Sequence, residues 1–324
     1  MSADNDIAGA RPRIAVVIVT FNSGDVLEDA LESLRAQTGI DLTAVVVADN
    51  ASTDGSLGIA EAADGLPVRT IQTGRNAGYA AAINIGMDAL DMRKIDAVFL
   101  MNPDCRLQPD ALHRLAGALR EPGRGIAVPL IVNPDGTLQP SLRRRPAVGR
   151  AIVEAIIGGN RAGRIGALGE LVMDSRAYRE PGPTAWATGA AMLIATDAIR
   201  DLGPWDESFL LYSEETEYCL RAGDRGWTIW YEPAAVVEHI GGESGTNPVL
   251  AALVVTNKVE LFRRRRGAPA SWAYHAAVAL GEGVRALLGR RTARTAFTAL
   301  FSAARRRQIR QTITGEAGPL KEIR

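Results

Sequence analysis

The sequence predicts an α/β fold, a parallel sheet with helices on both faces, followed by a basic helical extension at the C-terminus. Three observations carry this reading. Short, near-continuously apolar runs alternate with segments of helical spacing through the first 125 residues. Strands apolar along their whole length are strands covered on both faces. From Leu261 to Arg324 the chain holds 14 Lys/Arg against 3 Asp/Glu, which leaves 23 of the 37 basic and 34 of the 37 acidic residues to the first 260. A chain of zero net charge is therefore an acidic body with a basic tail.

The elements follow in order. RIAVVIVT (13–20) is a buried strand, and SGDVLEDALESLRA (23–36) a helix with apolar Val26, Leu27, Ala30, Leu31 and Leu34. TAVVVADN (43–50) is the second strand, with a helical stretch after it, and VRTIQT (68–73) a weaker third. NAGYAAAINIGMDAL (76–90) reads as a helix and DAVFLMN (96–102) as another buried strand. PDALHRLAGALRE (109–121) is a helix with proline in its first turn. IAVPLIVNPDGTLQP (126–140) reads as strands around an Asp-Gly turn. The Arg- and Gly-rich segment 141–183 reads as loop. WATGAAMLIAT (186–196) is a strand, and the helix within 209–227 starts near Ser213. TIWYEPAAVVEHIGG (228–242) supplies strand and loop, and helical stretches run from Leu250 to about Arg310.

At 324 residues, 47% hydrophobic and 23% charged, the chain is globular rather than disordered or fibrous. Cys105 and Cys219 cannot build a disulfide framework, and neither sits in a CxxC pair, which argues against structural zinc and for a reducing cytoplasm. MSADNDIAGARPR lacks the apolar segment of a signal peptide, and no apolar run reaches the ~18 residues that span a bilayer. Gly74-Arg75-Asn76-Ala77-Gly78 lacks the GxGxxG spacing and no GxxxxGK[ST] occurs, so hydride transfer and P-loop chemistry lack support.

Ligands of open α/β sheets bind at the carboxyl ends of strands. Three expected strands end in polar residues: Thr20-Phe21-Asn22, Asp49-Asn50 running on to Asp54, and Asn102-Pro103-Asp104. Asp and Asn also cap helices, and for Asp54 the two readings stay open. For Asp104 the functional reading is favoured: without a glycine-rich loop, phosphates need another device, and a divalent cation on one carboxylate is one. Glu214-Glu215-Thr216-Glu217 opens a helix. Its dipole favours acids there, yet three in four positions exceed that need, and their repulsion raises at least one pKa, which suits a general base. His239 could join Asp104 as an N/O ligand set for Mg²⁺ or Mn²⁺; His113 and His275 read as structural.

These residues sit in segments that resemble the family 2 glycosyltransferases, inverting enzymes with the GT-A fold. VVIVTFNS, ADNASTDGS, NAGYAAAINIG, MNPD, ATGAAMLI, WDESFLLYSEETEYCLRAGDRGW and VVEHIGG occur in family order over about residues 13–245. PLIVNPDGTLQPS before an Arg-rich loop is most similar to the branch that uses dTDP-L-rhamnose in cell-wall and polysaccharide assembly. The resemblance implies a nucleotide-sugar site that includes Asn22 and Asn50, in which Thr20 and Phe21 lie against the base and Asp49 contacts base or ribose. Arg75, Asn76 and Gly78 would sit near the base or diphosphate. Asn102-Pro103-Asp104 stands in for the DxD signature, with Asp104 and His239 as metal ligands. Glu215 matches the catalytic base with Glu214 its neighbour. Where the family often has Glu-Asp-x-Asp this chain has Glu-Glu-Thr-Glu, so either acid could be the base.

The domains implied are a disordered 1–12, a catalytic domain 13–245 with nucleotide-binding (13–125) and acceptor (126–245) halves, and a helical basic region 246–324. Arg263–Arg266, Arg290-Arg291 and Arg305–Arg307 punctuate apolar stretches, as in helices that lie in a membrane interface. A polyprenyl-linked or other glycan acceptor would place the protein peripherally on the inner face of the plasma membrane. The tail could instead pack on the catalytic domain or make a homo-oligomer contact. Lacking interleaved aromatics, it does not point to nucleic acid. A UDP-sugar donor (galactofuranose or N-acetylglucosamine) and a catalytically silent scaffold are the alternatives.

Overall fold

The computed structural model describes residues 10–241 and 246–315. Most of segment 1–12, the last glycine of VVEHIGG, the boundary near 245 and the chain end from 316 lie outside the described residues. The first half runs β1 (Arg13–Thr20), α1 (Gly24–Arg35), β2 (Asp41–Asp49), α2 (Ser56–Glu61), β3 (Val68–Gln72), α3 (Tyr79–Asp88), β4 (Ala97–Met101), β5 (Cys105–Leu107), α4 (Ala111–Leu119) and β6 (Arg124–Val132). Next come β7 (Leu142–Arg143), α5 (Val148–Ile157), α6 (Gly159–Arg164), β8 (Gly182–Thr184), β9 (Trp186–Ala187), β10 (Ala191–Ala195), α7 (Thr196–Leu202), α8 (Glu214–Asp224) and β11 (Thr228–His239). Four helices follow: α9 (Pro248–Arg265), α10 (Ala268–Leu287), α11 (Arg291–Phe301) and α12 (Ala303–Thr314).

Because strand side chains alternate faces, β1 sends Ile14, Val16 and Ile18 into one core and Ala15, Val17 and Val19 into the other. Leu27, Leu31 and Leu34 of α1 and Leu112 and Leu115 of α4 cover the first face, and Ala80, Ile83 and Met87 of α3 the second. The sheet order is β3-β2-β1-β4-β10-β6-β11-β5, with β8 on β11. Pairing is parallel among β3, β2, β1 and β4 and between β6 and β11; β10, β5 and β8 run against the rest. The expected α/β sheet is thus mixed but mostly parallel, with its carboxyl ends gathered on one rim.

Four expectations change. Segment 141–183 is not loop: it contains β7, α5, α6 and β8. Its arginines and glycines obscured α5, whose Ala151 packs against Phe262, Tyr274 and Ala277, more than a hundred residues away. The expected strand 186–196 is broken into β9 and β10, and Thr196 already begins α7. After β6, an Asn133–Thr137 turn leads only to a single bridge, Val132 to Leu138, rather than a second strand. The helix expected from Asn76 starts at Tyr79, since Gly78 has φ +93°.

Candidate active site

On the rim of β1 and β2, Asp49 is 1% exposed and accepts hydrogen bonds from the Thr20 hydroxyl (2.8 Å) and from the Ser52 N–H (2.9 Å) and hydroxyl (2.6 Å). Asn22, with φ +52°, accepts from Thr53 N (2.8 Å) and donates its own N–H to Ser52 Oγ (2.8 Å). Asn50 donates to Gly78 O (3.1 Å), while Phe21 stays 48% exposed and Arg75 faces solvent. Asn76 donates to Ile313 O of α12 (3.1 Å), so α12 closes beside this loop. Asp54 accepts from the Gly24 and Ser56 N–H groups at the starts of α1 and α2, so its carboxylate is engaged within the loop.

At the tip of β4, Asp104 Oδ1 lies 3.4 Å from His239 Nε2, and Asn102 Nδ2 lies 3.5 Å from the same nitrogen. Gln139 Oε1 accepts from His239 Nδ1 (2.6 Å), and its amide donates to Asn133 Oδ1 (2.9 Å) and His239 O (3.2 Å). That bond orients the ring with Nε2 toward Asp104. A ring nitrogen and a carboxylate oxygen converging at this distance make an N/O pair of the kind that fits a divalent ion. Cys105 is near but buried; its thiol donates to Ala190 O (3.2 Å), and burial pushes its pKa up, against a thiolate ligand. Burial raises the Asp104 carboxyl, but His239 and the Gly241 N–H (3.3 Å) outweigh it and hold it below the ordinary range.

Glu214 and Glu215 separate. Glu214 is buried, its Oε2 has no hydrogen-bond partner, and burial plus the neighbouring Glu215 push its pKa well up. Glu215 lines a cavity of about 370 Å³ with Arg143, Trp186, Thr188, Tyr212 and Lys258. Burial raises its pKa and the Arg143 guanidinium counters it. Glu217, the third acid, pairs with Arg221 (2.9 Å) and is structural. Lys258 in the cavity wall pairs with Glu170 (3.2 Å) and Glu154 (3.4 Å).

The break between β9 and β10 joins the two centres. Ala190 O accepts from Asn102 N (2.8 Å), while Gly189 lies against the Glu215 side chain and accepts from the Tyr79 hydroxyl (3.1 Å). Burial raises the Tyr79 pKa, and the acidic groups around it, Cys105 first among them, add to the rise. The loop before α8 is strained, with Leu210, Tyr212 and Ser213 at φ +66°, +69° and +77°. Such residues cost on the order of 1–3 kcal/mol each and persist where neighbours enforce them. Here the enforcing group is the Asn257 amide of α9, which donates to Phe209 O (2.8 Å), Leu211 O (2.9 Å) and Tyr212 O (3.1 Å).

Of the expected site residues, the structure thus gathers Asn102, Asp104 and His239, and separately Thr20, Asn22, Asp49, Asn50 and Gly78. Sequence reading missed Gln139, Arg143, Tyr79 and Asn257. Gln139 and Tyr79 lie inside matched segments but carry no chemistry by type. Asn257 gave no signal, since its partners are backbone carbonyls.

Residues 15–169 match the glycosyl transferase family 2 model. The chain is 32% identical over 289 residues, 82% of itself and 91% of the relative, to the N-acetylglucosaminyl-diphospho-decaprenol L-rhamnosyltransferase of Mycobacterium tuberculosis. It is 24% identical to the low-salt glycan biosynthesis hexosyltransferase Agl10 of Haloferax volcanii, over 64% of this chain and 61% of that one. Among solved structures, the mannosyltransferase PcManGT of Pyrobaculum calidifontis, in complex with GDP-Man and Mn²⁺, superposes with TM-score 0.56 at 17% identity, covering 95% of this chain and 85% of that one. GalNAc-T7 with UDP, GalNAc and Mn²⁺ also gives 0.56, at 18% identity, over 76% and 48% of the two chains.

Proposed function

Since the chain belongs to glycosyl transferase family 2 and is a hexosyltransferase of GT-A fold, we propose that it moves L-rhamnose from dTDP-L-rhamnose to a hydroxyl of a lipid-linked cell-envelope glycan. The observation that carries the donor and acceptor classes is the 32% identity, over 91% of its length, to a rhamnosyltransferase of a decaprenol-linked sugar. The site supplies the chemistry. Glu215, the acid that faces the cavity, takes the proton of the acceptor hydroxyl. The freed oxygen bonds to the anomeric carbon from the face opposite the nucleotide, the bond to the diphosphate breaks, and the configuration inverts. Asp104 and His239 would hold Mg²⁺ or Mn²⁺, which supplies charge stabilisation for the departing diphosphate in place of a general acid. Thr20 and Phe21 lie against the base, Asp49 meets base or ribose, Asn102 hydrogen-bonds the ribose, and Arg75, Asn76 and Gly78 lie near the base or diphosphate, with Asn22 and Asn50 in the same nucleotide-sugar site. Glu214 stays protonated behind the base. Among the described residues no helix is long and apolar enough to cross a membrane, and contact with the membrane that carries the acceptor is peripheral, through the C-terminal helices.

The test is a thermal-shift panel of dTDP, UDP and GDP, each with and without Mn²⁺. Stabilisation by dTDP that needs the metal and is lost in Asp104→Ala is the expected result. A response to UDP alone moves the donor to a UDP-sugar. Silence toward every nucleotide overturns the enzyme reading in favour of a scaffold.

A further inference from the structure

Helix α10 carries an unusual outer face. Trp272, Ala276, Leu280, Val284 and Leu287 recur at steps of four, four, four and three, form one stripe without a charge, and are all exposed, Trp272 by 74% and Leu287 by 90%. Gly281 lets α10 approach Ala155 of α5 closely, and Ile152 and Ile156 are exposed on that helix. An apolar surface of this continuity marks a binding face rather than scattered surface leucines.

Next to it lies a cavity of about 450 Å³ between α9, α11 and α12, lined by Arg263, Arg264, Arg306, Arg307 and Arg310 against a single acid, Glu260. Glu260 takes Arg263 and Arg264, and Arg306 donates to the carbonyls of Ala299 and Leu300. Arg310 is half-buried, and neither it nor Arg307 forms an ion pair among the described residues. The cavity shares Val259, Arg263 and His275 with a neighbouring groove of about 370 Å³ that Trp272 lines. His275 Nε2, buried there, has no partner. A cationic cleft therefore opens onto the start of the apolar stripe.

We propose that this surface docks on an anionic phospholipid bilayer, the headgroup phosphate entering the arginine cleft and the α10 stripe seating among the acyl chains; the proposal deepens the peripheral contact stated above. The pairing of charges with an uncharged stripe is what selects the occupant. A soluble phosphate has no use for the stripe, and a second copy of the chain would have to bring acidic side chains and an apolar face together at this one place.

The test is co-sedimentation of the full chain with vesicles of phosphatidylcholine alone or with one part in three phosphatidylglycerol. Binding that prefers the anionic vesicles and weakens with salt is expected. At roughly fivefold per basic residue near an anionic surface, Arg307→Gln with Arg310→Gln lowers partitioning about 25-fold on anionic vesicles. Leu280→Ser with Leu287→Ser lowers it at unchanged melting temperature. Equal binding to both vesicle types, or full binding by the arginine double variant, overturns the proposal. So does a stripe variant that binds vesicles normally but turns a dimer into a monomer, or inorganic phosphate stabilising the protein as much as the vesicles do. Stabilisation by nucleotides in the same samples reads the donor site independently, so the failure of one reading is not mistaken for failure of the other.

Discussion

Glu214 and Glu215 are neighbours in sequence with opposite surroundings, and pH separates them. With its folded pKa raised by burial and by Glu215, Glu214 keeps its proton in the fold while the unfolded chain begins to lose it near the ordinary value of about 4.3. Its effect on stability is therefore absent below that pH and grows unfavourable as pH rises toward the folded value. Glu214→Gln removes the titration: the variant should melt with the wild type near pH 4 and above it at pH 8. A variant that melts lower at pH 8 would mean that an ionised Glu214 has a partner. For Glu215→Gln the expectation is a kcat loss of about 10²–10⁴-fold with nucleotide binding kept, as removal of a general base requires. Arg143 counters the burial of Glu215, so Arg143→Gln should move the acid limb of the kcat/KM profile to higher pH. An unmoved limb would assign the base elsewhere.

At the scale of elements, the strained turn before α8 is held from two sides. The Leu210 carbonyl accepts from Tyr79 N at the start of α3 (2.8 Å), and Asn257 of α9 holds the carbonyls around it. Asn257→Ala leaves those buried carbonyls unpaired, at about 1–3 kcal/mol for a lost buried partner, and frees residues that are costly to hold left-handed. Calorimetric unfolding should show a loss of about 1–3 kcal/mol, with kcat falling more than the KM for donor. Unchanged stability would make the Asn257 bonds incidental. Gly78 is confined for a related reason: any Cβ there would run into the Leu210 carbonyl.

For the whole molecule, the C-terminal helices are part of the enzyme rather than an appendage. Leu261 of α9 packs with Phe209 and Leu220, and Leu253 and Ala252 with helices α11 and α12. A chain ended at residue 246 should therefore lose its single cooperative melt and its response to dTDP. A sharp transition at the full-length temperature would show instead that the catalytic half stands alone.

Periodicity and burial made the first half legible. Strands covered on both faces must be apolar throughout and their helices must be amphipathic, so β1 to β4 and α1 to α4 were readable from local pattern. The polar strand tips were legible for the complementary reason, that Asp104 ends an apolar strand for which local packing gives no cause. What the sequence could not determine depends on distant partners. Helix α5 exists against α10, the His239 ring takes its orientation from Gln139, and the two adjacent glutamates are told apart by one facing a cavity while the other is buried without a partner. Residue type and spacing decided which groups this chain possesses. Only the tertiary structure decided which of them meet, because desolvation and hydrogen-bond partnership are properties of surroundings assembled from residues far apart in the chain.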